Sequence, residues 1–194
     1  MSGLIRSFEP VISDSARVLI LGSMPGIKSL NEEQYYAHPQ NAFWRIMSAL
    51  LNINPHAPYP EKLVHLKSSG IALWDVLQTC QRDGSLDSSI VTETETENDF
   101  KTLFQNYPKI RHVFFNGAKA EASFKRHTLA KVKNFDIEYL RLPSTSPAHA
   151  GMSFEAKLNA WRVVLDSATI TKEETKSIFA EPFQTYIPPL QSQH

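Results

Sequence analysis

Four short apolar runs punctuate the chain, each closed by polar or turn-forming residues: Val18 to Leu21, Ile71 to Leu73 after Gly70, His112 to Phe115, and Ile137 to Leu140. Runs of this length bounded by loop-like residues predict β-strands. Between them the spacing of apolar positions changes to that of helices. Phe43, Ile46, Met47, Leu50 and Leu51 predict an amphipathic helix over Ala42 to Leu51, with Pro39 just ahead of its start. Further helices are predicted over Phe100 to Gln105, Ala118 to Ala130 and Ser153 to Ser167. In the last of these Phe154, Leu158, Trp161 and Leu165 form one stripe, and Ser153 is the N-cap candidate. Strands alternating with helices predict an α/β layered domain with a mostly parallel sheet. The stretch Thr92 to Asp99, where Glu93, Glu95 and Glu97 alternate with threonines, reads as a solvated loop or helix lead-in. A single domain is expected over residues 1–176. Periodicity then fails, and Ser177 to His194, with Pro182, Pro188 and Pro189, reads as a tail.

Composition narrows the class. At 194 residues and 42% hydrophobic content the chain can bury one full core. Lys and Arg total 20 against 20 for Asp and Glu, so no global attraction to a polyanion exists and any such binding must come from a local patch. Lys125, Arg126, Lys131 and Lys133 are candidates for that patch, and equally suit a solvated helix and loop. The single cysteine, Cys80, excludes an intramolecular disulfide and any four-cysteine metal site, and fits a reducing compartment. Met1 to Pro10 holds no long apolar stretch and reads as neither signal peptide nor membrane span, so a cytoplasmic protein is expected.

The candidate chemistry lies just beyond the predicted strands. In open α/β sheets ligands bind outside the carboxyl ends of the strands. Here the first strand leads into Gly22-Ser23-Met24-Pro25-Gly26, the third into Asn116-Gly117, and the fourth into Pro143-Ser144-Thr145-Ser146-Pro147-Ala148-His149. Such turns either present amides and hydroxyls to a phosphate or simply fix the chain direction. Asn116 is either a turn former or a carboxamide that bonds a base edge in two places. Tyr35 and Tyr36 lie in a polar loop where a ring can face a ligand, whereas Phe43 and Trp44 open a helix, where core packing suits at least one of them. The Gly-x-Ser-x-Gly elbow of serine hydrolases is absent, no Walker-type Gly-Lys-Ser/Thr follows the glycine turn, and the seven histidines show no metal-type pairing.

Taken together, these segments resemble the uracil-DNA glycosylase superfamily, most closely its hypoxanthine-DNA glycosylase branch. The resemblance is carried by Gly22 to Gly26, by Gln34-Tyr35-Tyr36-Ala37-His38-Pro39-Gln40-Asn41-Ala42-Phe43-Trp44, by Ala72-Leu73-Trp74-Asp75-Val76 with Cys80 to Ser88, by Asn116-Gly117, and by Leu142 to Pro147. It implies a three-layer αβα sandwich around a four-stranded parallel sheet. It also implies monofunctional removal of a deaminated base from damaged DNA, with no cofactor or metal, by a protein expected to be monomeric.

The resemblance further implies site residues. Mismatch-specific uracil glycosylases carry asparagine, and uracil-specific enzymes aspartate, where Met24 stands here, and a thioether cannot orient water. The resemblance to the hypoxanthine branch, which places its catalytic asparagine in the His-Pro-x-Asn-x-Phe-Trp run, implies Asn41 as the catalytic residue. Asn41 equally fits a helix cap. Tyr36 matches an aromatic that stacks on the extruded base and Asn116 a base-edge reader. Gly22, Ser23, Met24, Pro25, Gly26, Phe43, Trp74 and Asp75 complete the expected base pocket. Ser144, Thr145, Ser146, Pro147, Ala148 and His149 match the segment that grips phosphates and wedges the duplex; the wedge position falls on small Ala148, leaving Pro147 or His149 to fill the gap. Expected substrates are hypoxanthine first, with uracil in mismatches or non-catalytic damage binding as alternatives.

Overall fold

A computed structural model describes residues 3–169. The tail expected from Ser177 onward lies outside the described residues. In chain order the strands are β1 (Leu4–Arg6), β2 (Val18–Gly22), β3 (Ile71–Asp75), β4 (Leu77–Arg82), β5 (Ile90–Glu97), β6 (His112–Asn116) and β7 (Glu138–Leu142). The helices are α1 (Ile27–Glu32), α2 (Phe43–Leu51), α3 (Tyr59–Ser68), α4 (Phe100–Asn106), α5 (Ala118–His127) and α6 (Phe154–Thr169).

The four strands expected from sequence form one parallel sheet in the order β3-β2-β6-β7. Successive side chains of a strand point to opposite faces, and that alternation builds the layers. Leu19, Leu21, Ala72, Trp74, Val113 and Phe115 face one way, packing with Phe100, Leu103 and Phe104 of α4 and Phe124 of α5. Val18, Ile20, Ile71, Leu73 and Phe114 face the other, packing with Phe43, Ile46 and Met47 of α2 and Trp161 and Val164 of α6. The result is the helix–sheet–helix sandwich that the resemblance implied. Because all four strands run the same way, β2, β3 and β6 deliver Gly22, Asp75 and Asn116 to one edge, with Gly22 in register with Asp75.

Four features depart from the sequence reading. Thr92 to Asp99 is not a solvated loop: Ile90–Glu97 is a strand, in an antiparallel sheet β1-β4-β5 that the apolar pattern did not reveal. The Thr/Glu alternation has the period of a strand, and Glu95 and Glu97 are paired with partners distant in sequence. The Glu95 side chain is fully buried, ion-paired with Lys119 and hydrogen-bonded to Ser123 and His127. Asp99 instead caps α4, accepting from the Thr102 amide at 3.1 Å. Second, the helix expected over Ala118 to Ala130 stops at His127, and a separate short turn covers Leu129–Lys131. Third, α1 and α3 were not foreseen; α3 opens with a proline in its first turn, where a missing N–H costs nothing. Fourth, much of the proposed basic surface is paired: Lys125 with Glu121, Lys131 with Glu97, and Arg126 at 4.0 Å from Glu95. As expected, Ser153 caps α6, its hydroxyl accepting from the Ala156 amide at 3.2 Å.

Candidate active site

The carboxyl ends of the parallel strands open into a cavity of about 550 Å³. Its first wall is the turn Gly22, Ser23, Met24, Pro25 and Gly26, and its second is the segment Ser144, Thr145, Ser146, Pro147, Ala148 and His149. Tyr36, Asn41, Asp75 and Asn116 also line it. Residues separated by more than a hundred positions are thus brought together by strand order alone. Phe43 and Trp74 do not line the cavity. Phe43 is fully buried beneath Tyr36, ring centroids 4.0 Å apart and planes inclined by 22°. Trp74 is buried against Phe100 and donates its indole N–H to the Phe8 carbonyl.

The glycine turn is held rigidly. The Ser23 hydroxyl donates to Asp87 Oδ1 at 2.6 Å, and buried Arg82 donates to the carbonyls of Pro25 and Gly84. The Ile27 amide, at the start of α1, is taken by the Ser85 hydroxyl at 3.0 Å. That amide therefore serves the fold and not an anion. Gly22 itself is required by space: a Cβ there would stand 2.5 Å from Asp75 Oδ1 and 3.1 Å from Tyr36 Oη. Met24 lies in the wall and also packs into the core, only 6% exposed.

Asn116 is tied to the opposite wall. Its Nδ2 donates to Thr145 Oγ1 and its Oδ1 accepts from the Thr145 amide, both at 2.8 Å and both buried. The Thr145 carbonyl in turn accepts from the Ala42 amide at 2.9 Å. Thr145 thus joins the end of β6 to the residue that follows Asn41. Gly117 makes this approach possible, because its φ of 98° suits glycine and a Cβ would lie 2.9 Å from Ser144 Cβ. From α6, Trp161 donates to the Pro143 carbonyl and buried Lys157 to the His149 carbonyl, at 3.0 and 2.8 Å, clamping both ends of the segment.

Asn41 is half-buried and lines the cavity. Its Oδ1 accepts from the Phe43 amide at 3.0 Å, satisfying one of the N–H groups left open at the start of α2. Among the described residues its Nδ2 has no hydrogen-bond partner, and Oδ1 keeps a second lone pair. Capping and a ligand contact are compatible in this geometry. Tyr36 has a left-handed backbone, φ 56°, with its ring on Phe43 and its hydroxyl in the interior, where among the described residues the buried Oη makes no hydrogen bond of full geometry and interacts with the Asn116 side chain.

The electrostatics are dominated by burial. Desolvation, reinforced by Asp87 and partly offset by Arg82, pushes the Asp75 carboxyl up to about 8. Asp87 is raised too, again by burial, against the pull of its Ser23 hydrogen bond and Arg82. The Tyr35 and Tyr36 phenols are pushed well above their usual range by burial and by Asp75. Sequence reasoning gave no role to Ser85, Leu86, Asp87, Lys28, Ser29 or His38, all of which line the cavity, as does Tyr35, one of the two rings expected to face a ligand. The signal for the first three was present in the Asp83 to Ser88 segment, which carried part of the resemblance. Among the described residues no group of three or more His, Cys, Asp or Glu side chains could hold a metal ion, and no helix is long and apolar enough to cross a membrane.

Comparison with known proteins agrees with this architecture. Residues 9–165 match the model of the uracil DNA glycosylase superfamily. A hypoxanthine DNA glycosylase of Methanosarcina acetivorans is 41% identical over 116 residues, which span 59% of this chain and 72% of that protein. Its counterpart from Methanosarcina barkeri is 38% identical over the same shares. A solution NMR structure from Methanosarcina acetivorans, described as a uracil DNA glycosylase, superposes with a TM-score of 0.73 at 34% identity, covering 87% of this chain and all of that one. Matched over most of its length in sequence and in fold, the chain belongs to the uracil DNA glycosylase superfamily.

Proposed function

We propose that this protein is a monofunctional DNA glycosylase that removes deaminated bases, chiefly hypoxanthine from deoxyinosine, leaving an abasic site. The observation that carries the reading is the cavity at the strand ends, of a size that admits a flipped base, in a chain similar to two hypoxanthine DNA glycosylases. The target nucleotide swings out of the duplex, with the segment Ser144 to His149 against the backbone and Tyr36, backed by Phe43, against the base. Asn41 holds a water toward the anomeric carbon. As the glycosidic bond breaks, its electron pair leaves with the base; water supplies hydroxide to the sugar and its proton to the purine. The sugar passes through an oxocarbenium-like state, so a neutral carboxamide acts by position and dipole rather than by basicity. Met24 supplies shape to the wall and no polar group. The protein acts as a monomer in the cytoplasm.

The test is alkali-sensitive strand cleavage of a duplex carrying one deoxyinosine, beside matched uracil and xanthine duplexes. Cleavage at inosine is expected. An intact inosine strand overturns the reading, and cleavage at uracil alone transfers it to a uracil glycosylase, the activity in the description of the similar solution structure.

A further inference from the structure

We propose that Asp75 reads the Watson–Crick edge of the flipped base as a neutral carboxylic acid, donating to O6 and accepting from N1–H. The assignment rests on the glycosylase reading above. Asp75 ends β3 directly opposite Gly22, lines the cavity and is 3% exposed. Among the described residues its buried Oδ2 has no hydrogen-bond partner, a costly state for a polar atom unless a ligand completes it. Gly22, by lacking a Cβ, leaves room beside the other carboxyl oxygen. Asn116, the reader expected from sequence, has its carboxamide engaged by Thr145 on both edges.

The groups facing Asp75 favour the acid form. Asp87, on the short turn Asp87–Ser89, raises it. Arg82 of β4 lowers it, but its guanidinium is directed at the Pro25 and Gly84 carbonyls. Tyr35 and Tyr36 from the segment before α2 and Tyr59 of α3 are neutral phenols whose own ionisation Asp75 opposes. Lys28, His38 and His149 stand along the cavity walls. With burial dominating, the carboxyl ionises only around pH 8.

A carboxylic acid carries one donor and one acceptor, the complement of a lactam's C=O and N–H. Its bond to O6 strengthens as negative charge moves onto the departing purine, so the interaction is worth more in the transition state than in the bound substrate. An ionised Asp75 instead turns lone pairs toward O6 and opposes departure.

The experiment is single-turnover cleavage of the inosine duplex from pH 6 to 9.5 by the wild-type protein, Asp75→Asn and Asp75→Ala. The amide keeps a donor and an acceptor but does not titrate. The base's own N1–H ionises in alkali and lowers every profile alike, so the ratio of wild-type to Asp75→Asn rates isolates Asp75. That ratio is expected to be flat below pH 7 and to fall about tenfold per pH unit above about 8, with Asp75→Ala slow throughout. A ratio constant with pH, or an Asp75→Ala rate equal to wild type, overturns the assignment while leaving the glycosylase reading intact. No inosine cleavage by the wild-type protein at any pH overturns both. A second readout uses the Asn41→Ala protein, expected to leave the substrate intact: the carbon-13 titration midpoint of its Asp75 carboxyl should rise when the inosine duplex is added, and an unchanged midpoint overturns the proposal.

Discussion

Replacing Asn116 by alanine tests whether its carboxamide is first a structural tie. The side chain makes two hydrogen bonds of 2.8 Å to Thr145, itself 1% exposed. Two neutral hydrogen bonds contribute roughly 0.5–1.5 kcal/mol each, and the buried Thr145 amide left without an acceptor costs about 1–3 kcal/mol. Asn116→Ala should therefore destabilise the fold by about 3 kcal/mol in urea unfolding at unchanged m-value. Thr145→Val removes only the hydroxyl and should cost about 1 kcal/mol, and the double variant should cost less than the sum, because the two share one bond. Asn116→Asp keeps the acceptor for the Thr145 amide and lets the hydroxyl donate in return, so it should recover much of the loss. Turnover per folded molecule should also fall in Asn116→Ala, since the Thr145 carbonyl holds Ala42 beside Asn41. An Asn116→Ala protein within 0.5 kcal/mol of wild type, or strict additivity with Thr145→Val, refutes the tie.

Asn41→Ala should lose inosine cleavage while unfolding only about 1 kcal/mol more easily, the usual cost of a lost helix cap; a folded variant with wild-type turnover would confine Asn41 to capping. Gly22→Ala should cost about 1–3 kcal/mol through the clash with buried Asp75 and close the cavity floor, measured by unfolding and by inosine-duplex cleavage; wild-type values in both would show that the floor yields. For Asp75, the folded carboxyl ionises near 8 and an unfolded one near 4, so stability is full below pH 4 and is lost as pH rises toward 8. Between pH 4 and 7 the ceiling on that loss is about 4 kcal/mol, at ~1.4 kcal/mol per pH unit. Asp75→Asn removes it, so the variant should gain on wild type over that interval in urea unfolding; parallel stability profiles would mean that Asp75 ionises normally.

What sequence patterning captures here is local, and what it misses is long-range. The runs Val18 to Leu21 and Ile71 to Leu73 are legible because each is apolar throughout and buried on both faces, whereas His112 to Phe115 and Ile137 to Leu140, which include His112 and Glu138, are legible from their apolar majority and the loop residues that follow. β5 is not, because Glu95 is buried only in the company of Lys119, Ser123 and His127, partners on another element. The site divides the same way. Tyr36, Asn41 and the Ser144 to His149 segment stand out by residue type and motif, and all line the cavity. That Asn116 would spend its carboxamide on Thr145, or that Phe43 would support Tyr36 instead of reaching the cavity, depends on how β6, β7 and α2 meet in space. Asp75 enters the expected pocket through the motif Ala72 to Val76; its burial opposite Gly22 depends on how β2 and β3 pair.

The left-handed backbone of Tyr36 has a consequence for recognition. A non-glycine residue in that conformation carries roughly 1–2 kcal/mol of strain, met here during folding by the stack on Phe43. The ring is immobilised before any nucleotide arrives. Freezing a free aromatic at a binding interface would cost about 0.5–1.5 kcal/mol of rotamer entropy at the moment of encounter. In this fold that ordering is complete beforehand, so a base entering the cavity meets a fixed plane, and its residence there is governed by the fit of its edge and not by the settling of the wall.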